Sequence, residues 1–193
     1  SLCERIFLCL FKFQLCKFFL FFLNLSFIIG IEVIQAPQMP DISSTIIRNL
    51  ISNGDIEQAN HKLGYHYPLT GIVEHGKELG YTIGFPTANL RPDDDRKLVP
   101  ANGVYAAIAT VEGKSYPAML NIGFRPTFNG EGNRTIEAHI IDFSKDIYFQ
   151  PLTLQFVSYI RAEKRFCSPS ELALQLAKDK ETAREIIKSK IEL

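Results

Sequence analysis

Glycines are concentrated in the stretch from Thr70 to Leu90, whose sequence is TGIVEHGKELGYTIGFPTANL. They occupy positions 71, 76, 80 and 84, directly ahead of the string PTAN. A loop this rich in glycine lets backbone amides approach an anion closely and supplies positive φ angles where the chain turns. The spacing matches neither the Walker A pattern nor the Rossmann dinucleotide pattern, which excludes those two phosphate-binding motifs.

The PTAN string adds a hydroxyl and a carboxamide two residues apart, at Thr87 and Asn89. In an extended segment, residues i and i+2 face the same way, so both oxygens could reach one hard cation. Mg²⁺ suits such a pair because it takes few protein ligands and completes its octahedron with water and substrate phosphates. The alternative is a turn in which Thr87 and Asn89 bond the local backbone. The residues alone leave both interpretations open.

Candidate general bases occur in the string RTIEAHIIDF. Strand alternation places Thr135, Glu137 and His139 on one face. The opposite face consists of Ile136, Ala138 and Ile140. Glutamate and histidine both act as general bases when they are well positioned. A lone strand glutamate is also commonly solvated or salt-bridged, and a histidine commonly makes a structural hydrogen bond, so these alternatives remain.

Short strands separated by Gly and Pro turns carry these residues. Val104 to Val111 and Ser115 to Ile122 are predicted to pair through a turn at Glu112-Gly113-Lys114. The string LTLQFVSYIRAEKRF predicts a further strand, with one face formed by Leu152, Leu154, Phe156 and Ile160. No helical pattern separates these strands, which indicates an antiparallel barrel or sandwich.

Two short helices are predicted ahead of the strands. The cap and stop residues are Ser43 or Ser44, Gly54, Asp55 and Gly64, with the first helix running to about Ser52. A helix-turn-helix DNA reader is an alternative, but the second helix is acidic and poorly suited to phosphate. The string ISSTIIR resembles a signature of nucleotidylyltransferases, in which a Ser/Thr cluster and an Arg hold ATP phosphates. Its matching positions are Ser43, Ser44, Thr45 and Arg48.

A longer helix is predicted at the C-terminal end. Ser168, Pro169 and Glu171 provide the N-cap, the first helical residue and the third position of a capping box. The apolar positions that recur near helical spacing are Leu172, Leu176, Ala183 and Ile187. We expect this helix to pack on the sheet.

Charge and cysteine content exclude some classes of protein. The 21 Lys plus Arg equal the 21 Asp plus Glu, so the chain lacks the basic excess of a protein that holds nucleic acid mainly by phosphate neutralisation. Residues 31–193 contain one cysteine, Cys167, so we expect no disulfide framework or CxxC metal site there. A reducing, cytoplasmic location is therefore expected.

The first thirty residues differ in composition from the rest, with eight of the 15 Phe and three of the four Cys. Lys12 and Lys17 interrupt the apolar run, and no small-residue cleavage site follows it. Three interpretations remain: a fragment or reading-frame artefact, a membrane-associated leader, or a buried core element. Membrane contact is expected only if this segment belongs to the working protein.

Several strings together resemble one family. In order they are GIVEHGKELGYTIGFPTANL, GVYAAI, NIGFRPTF, IEAHIIDFSKDIY and RAEKRF. From about Tyr67 to Ile187 the chain resembles the riboflavin kinase domain of the bacterial bifunctional riboflavin kinase/FAD synthetase. The resemblance implies a mainly β fold: a six-stranded antiparallel split barrel with a C-terminal helix, preceded by a short helical remnant. The implied organisation is a leader of unknown status at 1–30, an adenylyltransferase remnant at 31–66 and a kinase domain at 67–193.

The resemblance also implies the reaction and its residues. The γ-phosphoryl group of ATP would pass to the 5′-hydroxyl of riboflavin, giving FMN and ADP. Glu137 would be the base, and Thr87 and Asn89 would hold Mg²⁺ or another divalent cation. The ATP-binding positions would be Gly76, Gly80, Gly84, Ile140, Asp142 and Tyr148, and the flavin-binding positions Arg161, Lys164 and Phe166. The expected partners are riboflavin and ATP with their products, without nucleic acid, and we expect a monomer.

Two departures from the family pattern and two alternatives accompany this interpretation. Tyr81 stands where the family often has a basic residue, and Tyr148-Phe149 stands where the family has Tyr-Gly, which predicts an altered turn. One alternative is a non-catalytic flavin- or nucleotide-binding barrel. The other is a fragment of a bifunctional riboflavin kinase/FMN adenylyltransferase.

Overall fold

A computed structural model describes residues 42–76, 80, 84–125 and 133–190, without the side chains of Arg125 and Asn133. The expectations for residues 1–41 and for Tyr81 lie outside these residues. The elements are α1 (Ser44–Asn53), α2 (Ile56–Leu63), β1 (Tyr67–Glu74), β2 (Ala88–Pro92), β3 (Gly103–Val111), β4 (Lys114–Arg125), β5 (Asn133–Ile140), β6 (Pro151–Arg161) and α3 (Pro169–Lys190).

The strands form a closed barrel in the order β1-β2-β5-β4-β3-β6. Every neighbouring pair is antiparallel. β3 and β4 form a hairpin whose turn contains Glu112 and Gly113, with φ angles of 49° and 75°. The prediction of a six-stranded antiparallel barrel with a C-terminal helix is therefore confirmed.

Alternate residues of each strand fill the inside of the barrel. On β5, Ile136, Ala138 and Ile140 lie in the main apolar core. The intervening positions, including Glu137 and His139, therefore face outward, as the sequence pattern predicts. Because the interior is filled by side chains, a ligand site on these strands would lie on the outer surface.

The predicted face of β6 is correct at its start and wrong at its end. Leu152, Leu154 and Phe156 lie in the interior core, but Ile160 packs in the outer cluster beneath α3. The pairing of β6 with β3 shifts register between Phe156 and Ser158. An extra residue at such a bulge reverses the inside-outside alternation that follows it.

Helices α1 and α2 form where their caps predict. The Ser43 hydroxyl accepts a hydrogen bond from Ile46 N at 3.2 Å. Gly54 and Gly64 end the two helices with φ angles of 86° and 78°. Asp55 begins α2 by position, without a side-chain capping hydrogen bond.

These two helices share the core of the barrel. Ile51, Ile56 and Ala59 are buried in the same cluster as the inner strand residues. Asn60 of α2 donates to the carbonyl oxygen of Phe156 at 2.8 Å and accepts from Tyr67 N at 2.9 Å. The helical segment is therefore fixed to β1 and β6 by apolar packing and by a buried side-chain amide.

Helix α3 covers part of the outer face. Glu171 N donates to the Ser168 hydroxyl at 3.2 Å, which agrees with the predicted cap, and the Glu171 carboxylate accepts from Cys167 N. Ala183 and Ile187 are buried against Ile108 and Met119 of the barrel in the outer cluster. Of the helices in the described residues, none combines the length and apolar character that a membrane span requires.

Candidate functional site

The register of the barrel brings the predicted metal ligand and the predicted base together. Asn89 of β2 pairs directly with Glu137 of β5. Glu74 of β1 pairs with Asn89 on one side, and Asn121 of β4 pairs with Glu137 on the other. Directly paired residues have Cβ atoms about 4.5–5.5 Å apart and point to the same face. Four oxygen-bearing side chains therefore form one row across the outer surface.

The loop glycines lie against the PTAN string. A Cβ atom placed on Gly76 would lie 2.0 Å from Nδ2 of Asn89, so a side chain there would have to displace the Asn89 carboxamide. A Cβ atom on Gly80 would lie 2.2 Å from the carbonyl oxygen of Phe85 and 3.4 Å from Oγ1 of Thr87. Phe85 N also donates to the Gly80 carbonyl at 2.8 Å. The chain thus brings glycine backbone directly beside both predicted metal ligands.

Gly84 is the third predicted loop glycine. It is exposed and has a φ angle of 81°. It lies four positions after Gly80 and two positions before Pro86, the first residue of PTAN, so its left-handed backbone lies where the loop leads into β2.

The oxygen donors suit a hard cation. Thr87 offers a hydroxyl, Asn89 a carboxamide and Glu137 a carboxylate, and these are the ligand types that Mg²⁺ prefers. In the described ranges no three His, Cys, Asp or Glu side chains are grouped as a metal site. Mg²⁺ commonly takes few protein ligands and completes its octahedron with water and substrate phosphates, so a pair such as Thr87 and Asn89 would suffice for it.

His139 lies behind the PTAN string on the outer face of β5. Its Nδ1 is 2.9 Å from the carbonyl oxygen of Pro86, and its ring meets Phe85 edge to face at 5.3 Å between centroids. Burial lowers the pKa of His139, and Lys180 contributes to the lowering, while the Pro86 bond and Asp142 oppose it. A buried histidine of lowered pKa is neutral at pH 7, so it supplies one N–H donor.

The predicted nucleotide positions have different surroundings. Ile140 is buried inside the barrel, so its side chain faces away from the outer surface. Asp142 is held by Arg184 of α3 at 2.8 Å, and this bond lowers the pKa of the Asp142 carboxyl. Tyr148 stacks on His75 with 3.8 Å between ring centroids, beside Gly76 in the chain.

Phe149 adopts the turn that a glycine would favour. Its φ angle is 60° and its side chain is 70% exposed. Phe149 N donates to the Val73 carbonyl at 2.8 Å, and its ring lies edge-on to His75 at 5.5 Å. The chain keeps a left-handed backbone here despite the side chain, at a cost of about 1–2 kcal/mol.

The predicted flavin positions lie at the junction of β6 and α3. Arg161 forms a salt bridge with Asp179 of α3, whose carboxylate is 2% exposed, at 2.6 Å. Lys164 Nζ is 3.2 Å from Oε1 of Glu171. The cationic groups of Arg161 and Lys164 lie over the ring of Phe166, at 5.9 and 5.5 Å from its centroid. The three predicted residues are therefore adjacent, and Arg161 is fixed to the helix.

Sequence reasoning missed Asn121 and His75. Asn121 occurs in the string LNIGF and has the same outward parity as Met119, so alternation predicts its face but not its pairing with Glu137. His75 directly precedes Gly76, and only the return of the chain at Tyr148 shows that its ring is stacked.

Comparisons with known proteins agree on one family. A family model described as "Flavokinase: Riboflavin kinase" matches residues 63–187. The bifunctional riboflavin kinase/FMN adenylyltransferase of Listeria monocytogenes is 41% identical over 150 residues, which cover 78% of this chain and 48% of that protein. The protein of the same name from Bacillus subtilis is 42% identical over 144 residues, covering 74% of this chain and 45% of that protein. The chain spans about half the length of these relatives.

A solved structure shares the fold. A crystal structure named as a macrolide-efflux protein from Streptococcus pneumoniae superposes with a TM-score of 0.72 and 36% identity, covering 80% of this chain and 51% of that chain. The name of this structure describes a different activity from the names of the sequence relatives. The structural similarity therefore supports the fold alone.

Proposed function

Because the chain belongs to the riboflavin kinase family, we propose that it transfers the γ-phosphoryl group of ATP to the 5′-hydroxyl of riboflavin, giving FMN and ADP. The observation that carries the proposal is the pairing of Glu137 with Asn89 on adjacent strands, beside Gly76. This pairing places the Glu137 carboxylate next to the candidate metal ligand Asn89, which Gly76 of the glycine loop contacts closely. Phosphoryl transfer depends largely on such positioning and on charge stabilisation.

Glu137 accepts the proton of the attacking hydroxyl in this proposal. A carboxylate can do so within hydrogen-bond reach, at about 2.6–3.2 Å from the hydroxyl oxygen. Its outward direction on β5 points it to the surface on which Asn89 also lies. The cross-strand neighbours of Glu137 are Asn89 on one side and Asn121 on the other.

Thr87 and Asn89 would hold the divalent cation, and backbone amides around Gly76, Gly80 and Gly84 would approach the phosphates. The cation, when bound, neutralises charge on the β- and γ-phosphates. In this proposal Thr87 and Asn89, together with the glycine backbone, orient the nucleotide.

Tyr148 and Asp142 would lie near the nucleotide, together with the backbone of Ile140. Arg161, Lys164 and Phe166 would lie near the flavin. In this arrangement the ring of Phe166 supplies an apolar face, and the salt bridge with Asp179 fixes the position of the Arg161 side chain. The two substrates would then approach Glu137 from the glycine loop and from the β6–α3 junction.

We also propose a division of the chain into a leader at 1–30, an adenylyltransferase remnant at 31–66 and a kinase domain at 67–193. The names of the relatives include FMN adenylyltransferase, and the ISSTIIR string supports the assignment of the second segment. Helices α1 and α2 fall in this segment, although their apolar residues pack in the barrel core. The proposed boundary therefore separates segments of different origin that share one core.

The test is chromatography of flavins after incubation of the full chain with riboflavin, ATP and Mg²⁺. FMN and an equal amount of ADP are expected, and chelation of the divalent cation should stop their formation. Absence of any product would refute the proposal, and formation of FAD would show the second activity. Binding of riboflavin without turnover would instead favour the non-catalytic barrel.

Glu137→Gln tests the base, with Glu74→Gln as the matched control from the same row of residues. Glu137→Gln should bind ATP and riboflavin nearly normally and lose turnover by several orders of magnitude. Glu74→Gln should keep turnover, because the Glu74 carboxylate is bound to Arg91 at 2.5 Å. Normal FMN formation by Glu137→Gln would reject Glu137 as the base.

A further inference from the structure

The orientation of His139 is fixed by what its two ring nitrogens meet. A carbonyl oxygen can only accept a hydrogen bond, so Nδ1, at 2.9 Å from the Pro86 oxygen, carries the hydrogen. Nε2 is buried and has no hydrogen-bond partner among the described residues. A hydrogen on Nε2 would be buried without an acceptor, which is unfavourable. The ring is therefore the neutral Nδ1–H tautomer.

The Pro86 carbonyl controls the backbone of Thr87. That carbonyl and the Thr87 N–H belong to one planar peptide unit, so a hydrogen bond to the oxygen restrains the orientation of the whole unit. The ladder between β2 and β5 comprises Ala88 with Ala138 and Asn89 with Glu137. The His139 side chain thus forms its hydrogen bond with Pro86, just outside this ladder. Thr87 lies between Pro86 and Ala88, the first paired residue of β2.

The surroundings of His139 hold the ring in place. It is 6% exposed, its cross-strand partner Met119 is 4% exposed, and Phe85 packs against the same outer cluster as α3. The ring therefore connects β5 with the segment that carries Thr87. His139 lies two residues after Glu137, and its hydrogen-bond partner Pro86 lies one residue before Thr87.

We propose that His139 is a positioning residue, which donates Nδ1–H to the Pro86 carbonyl and so orients Thr87 toward the Mg²⁺-bound nucleotide. This proposal rests on the proposed riboflavin kinase function. It assigns His139 no proton transfer and no contact with substrate. It predicts that affinity for the Mg²⁺-nucleotide depends on one donor at the position of Nδ1.

His139→Asn and His139→Leu are the informative pair of variants. Both remove the ring and leave side chains of similar shape, but the Asn amide can place an N–H near the position of Nδ1. Met119→Ala is the control, since it weakens the same buried layer from the neighbouring strand. Thermal denaturation of each variant measures the loss of stability that they share.

Calorimetric binding of Mg²⁺-ADP is the main measurement, with FMN formation as the second. His139→Leu should bind Mg²⁺-ADP about tenfold more weakly, which corresponds to about 1.4 kcal/mol. His139→Asn and Met119→Ala should bind within about threefold of the wild type, which is less than half of that free energy. In His139→Leu, the factor by which KM for ATP rises should exceed the factor by which kcat falls.

Three results would overturn the proposal. Equal affinity of the Asn and Leu variants would show that the donor is irrelevant, and an equal loss in Met119→Ala would show a general packing effect. An Nε2–H tautomer of His139, measured by ¹⁵N NMR on the wild-type protein, would remove its basis even if no variant folds. A wild-type protein that forms no FMN would refute the proposed function itself, which separates that failure from the failure of His139.

Discussion

Gly76→Ala is the sharpest test of how the glycine loop meets the candidate metal site. An added Cβ would lie 2.0 Å from Nδ2 and 2.7 Å from Cγ of Asn89. Cβ atoms essentially never approach another heavy atom within 3.0 Å, so the carboxamide must retreat by about 1 Å. A misplacement of about 1 Å can cost about 10²-fold in rate. We therefore expect kcat/KM for ATP to fall about 10²-fold.

The stability of Gly76→Ala should change little. The clash is with the end of a side chain, which can rotate away, and the backbone of Gly76 is not among the positive-φ positions. Gly113→Ala is the opposite control: a Cβ there meets nothing within 4 Å, but the φ angle is 75°. It should lose about 1 kcal/mol of stability from backbone strain and keep its kcat/KM.

A double-mutant cycle with Asn89→Ala decides whether the effect passes through the carboxamide. If it does, Gly76→Ala should cost almost nothing further once Asn89 is alanine, because neighbours that act through one contact are not additive. FMN formation at varied ATP and Mg²⁺ is the assay. Wild-type kcat/KM in Gly76→Ala, or full additivity in the cycle, would refute the reasoning.

Three further predictions concern stability. Asn60→Leu should lower the free energy of unfolding by about 2–4 kcal/mol in urea titrations, because it leaves the Phe156 carbonyl and the Tyr67 N–H buried and unpaired; an unchanged value would contradict this. Phe149→Gly should raise that free energy by about 1 kcal/mol, since its φ angle is 60°, and a loss would show that the ring contact with His75 outweighs the strain. Deletion of residues 1–66 should abolish the cooperative thermal transition of the full chain, because it removes Ile56 and its neighbours from the core; retention of that transition would show an independent barrel.

Much of the fold could be predicted because strand alternation and helix caps are local signals. On β5, the outward Glu137 and the inward Ile136 follow from a period of two. The face of Ile160 could not be predicted in this way. Val157 and Ile160 are both apolar, and the sequence does not mark the bulge between Phe156 and Ser158. The extra residue between Phe156 and Ser158 moves Ile160 to the outer side, and a second register shift follows between Tyr159 and Arg161.

The candidate site was predictable as residue types and less so as an arrangement. PTAN and Glu137 stand out in the sequence, but a period of two gives faces and not registers. That Asn89 pairs with Glu137, and Asn121 with its other side, follows only from the closed barrel. The roles of these residues stay predictions until the variants are measured.

The balanced net charge of the chain takes on a more specific meaning in the folded structure. Three arginines on elements around the candidate site are each held by a carboxylate: Arg91 by Glu74, Arg161 by Asp179 and Arg184 by Asp142. Their charge is largely compensated before any nucleotide binds. Exposed cations that steer anions from a distance are screened by salt, whereas short contacts with backbone amides and a metal ion are screened less. In this protein, binding of ATP should therefore depend strongly on Mg²⁺ and on the geometry of the glycine loop, and weakly on ionic strength.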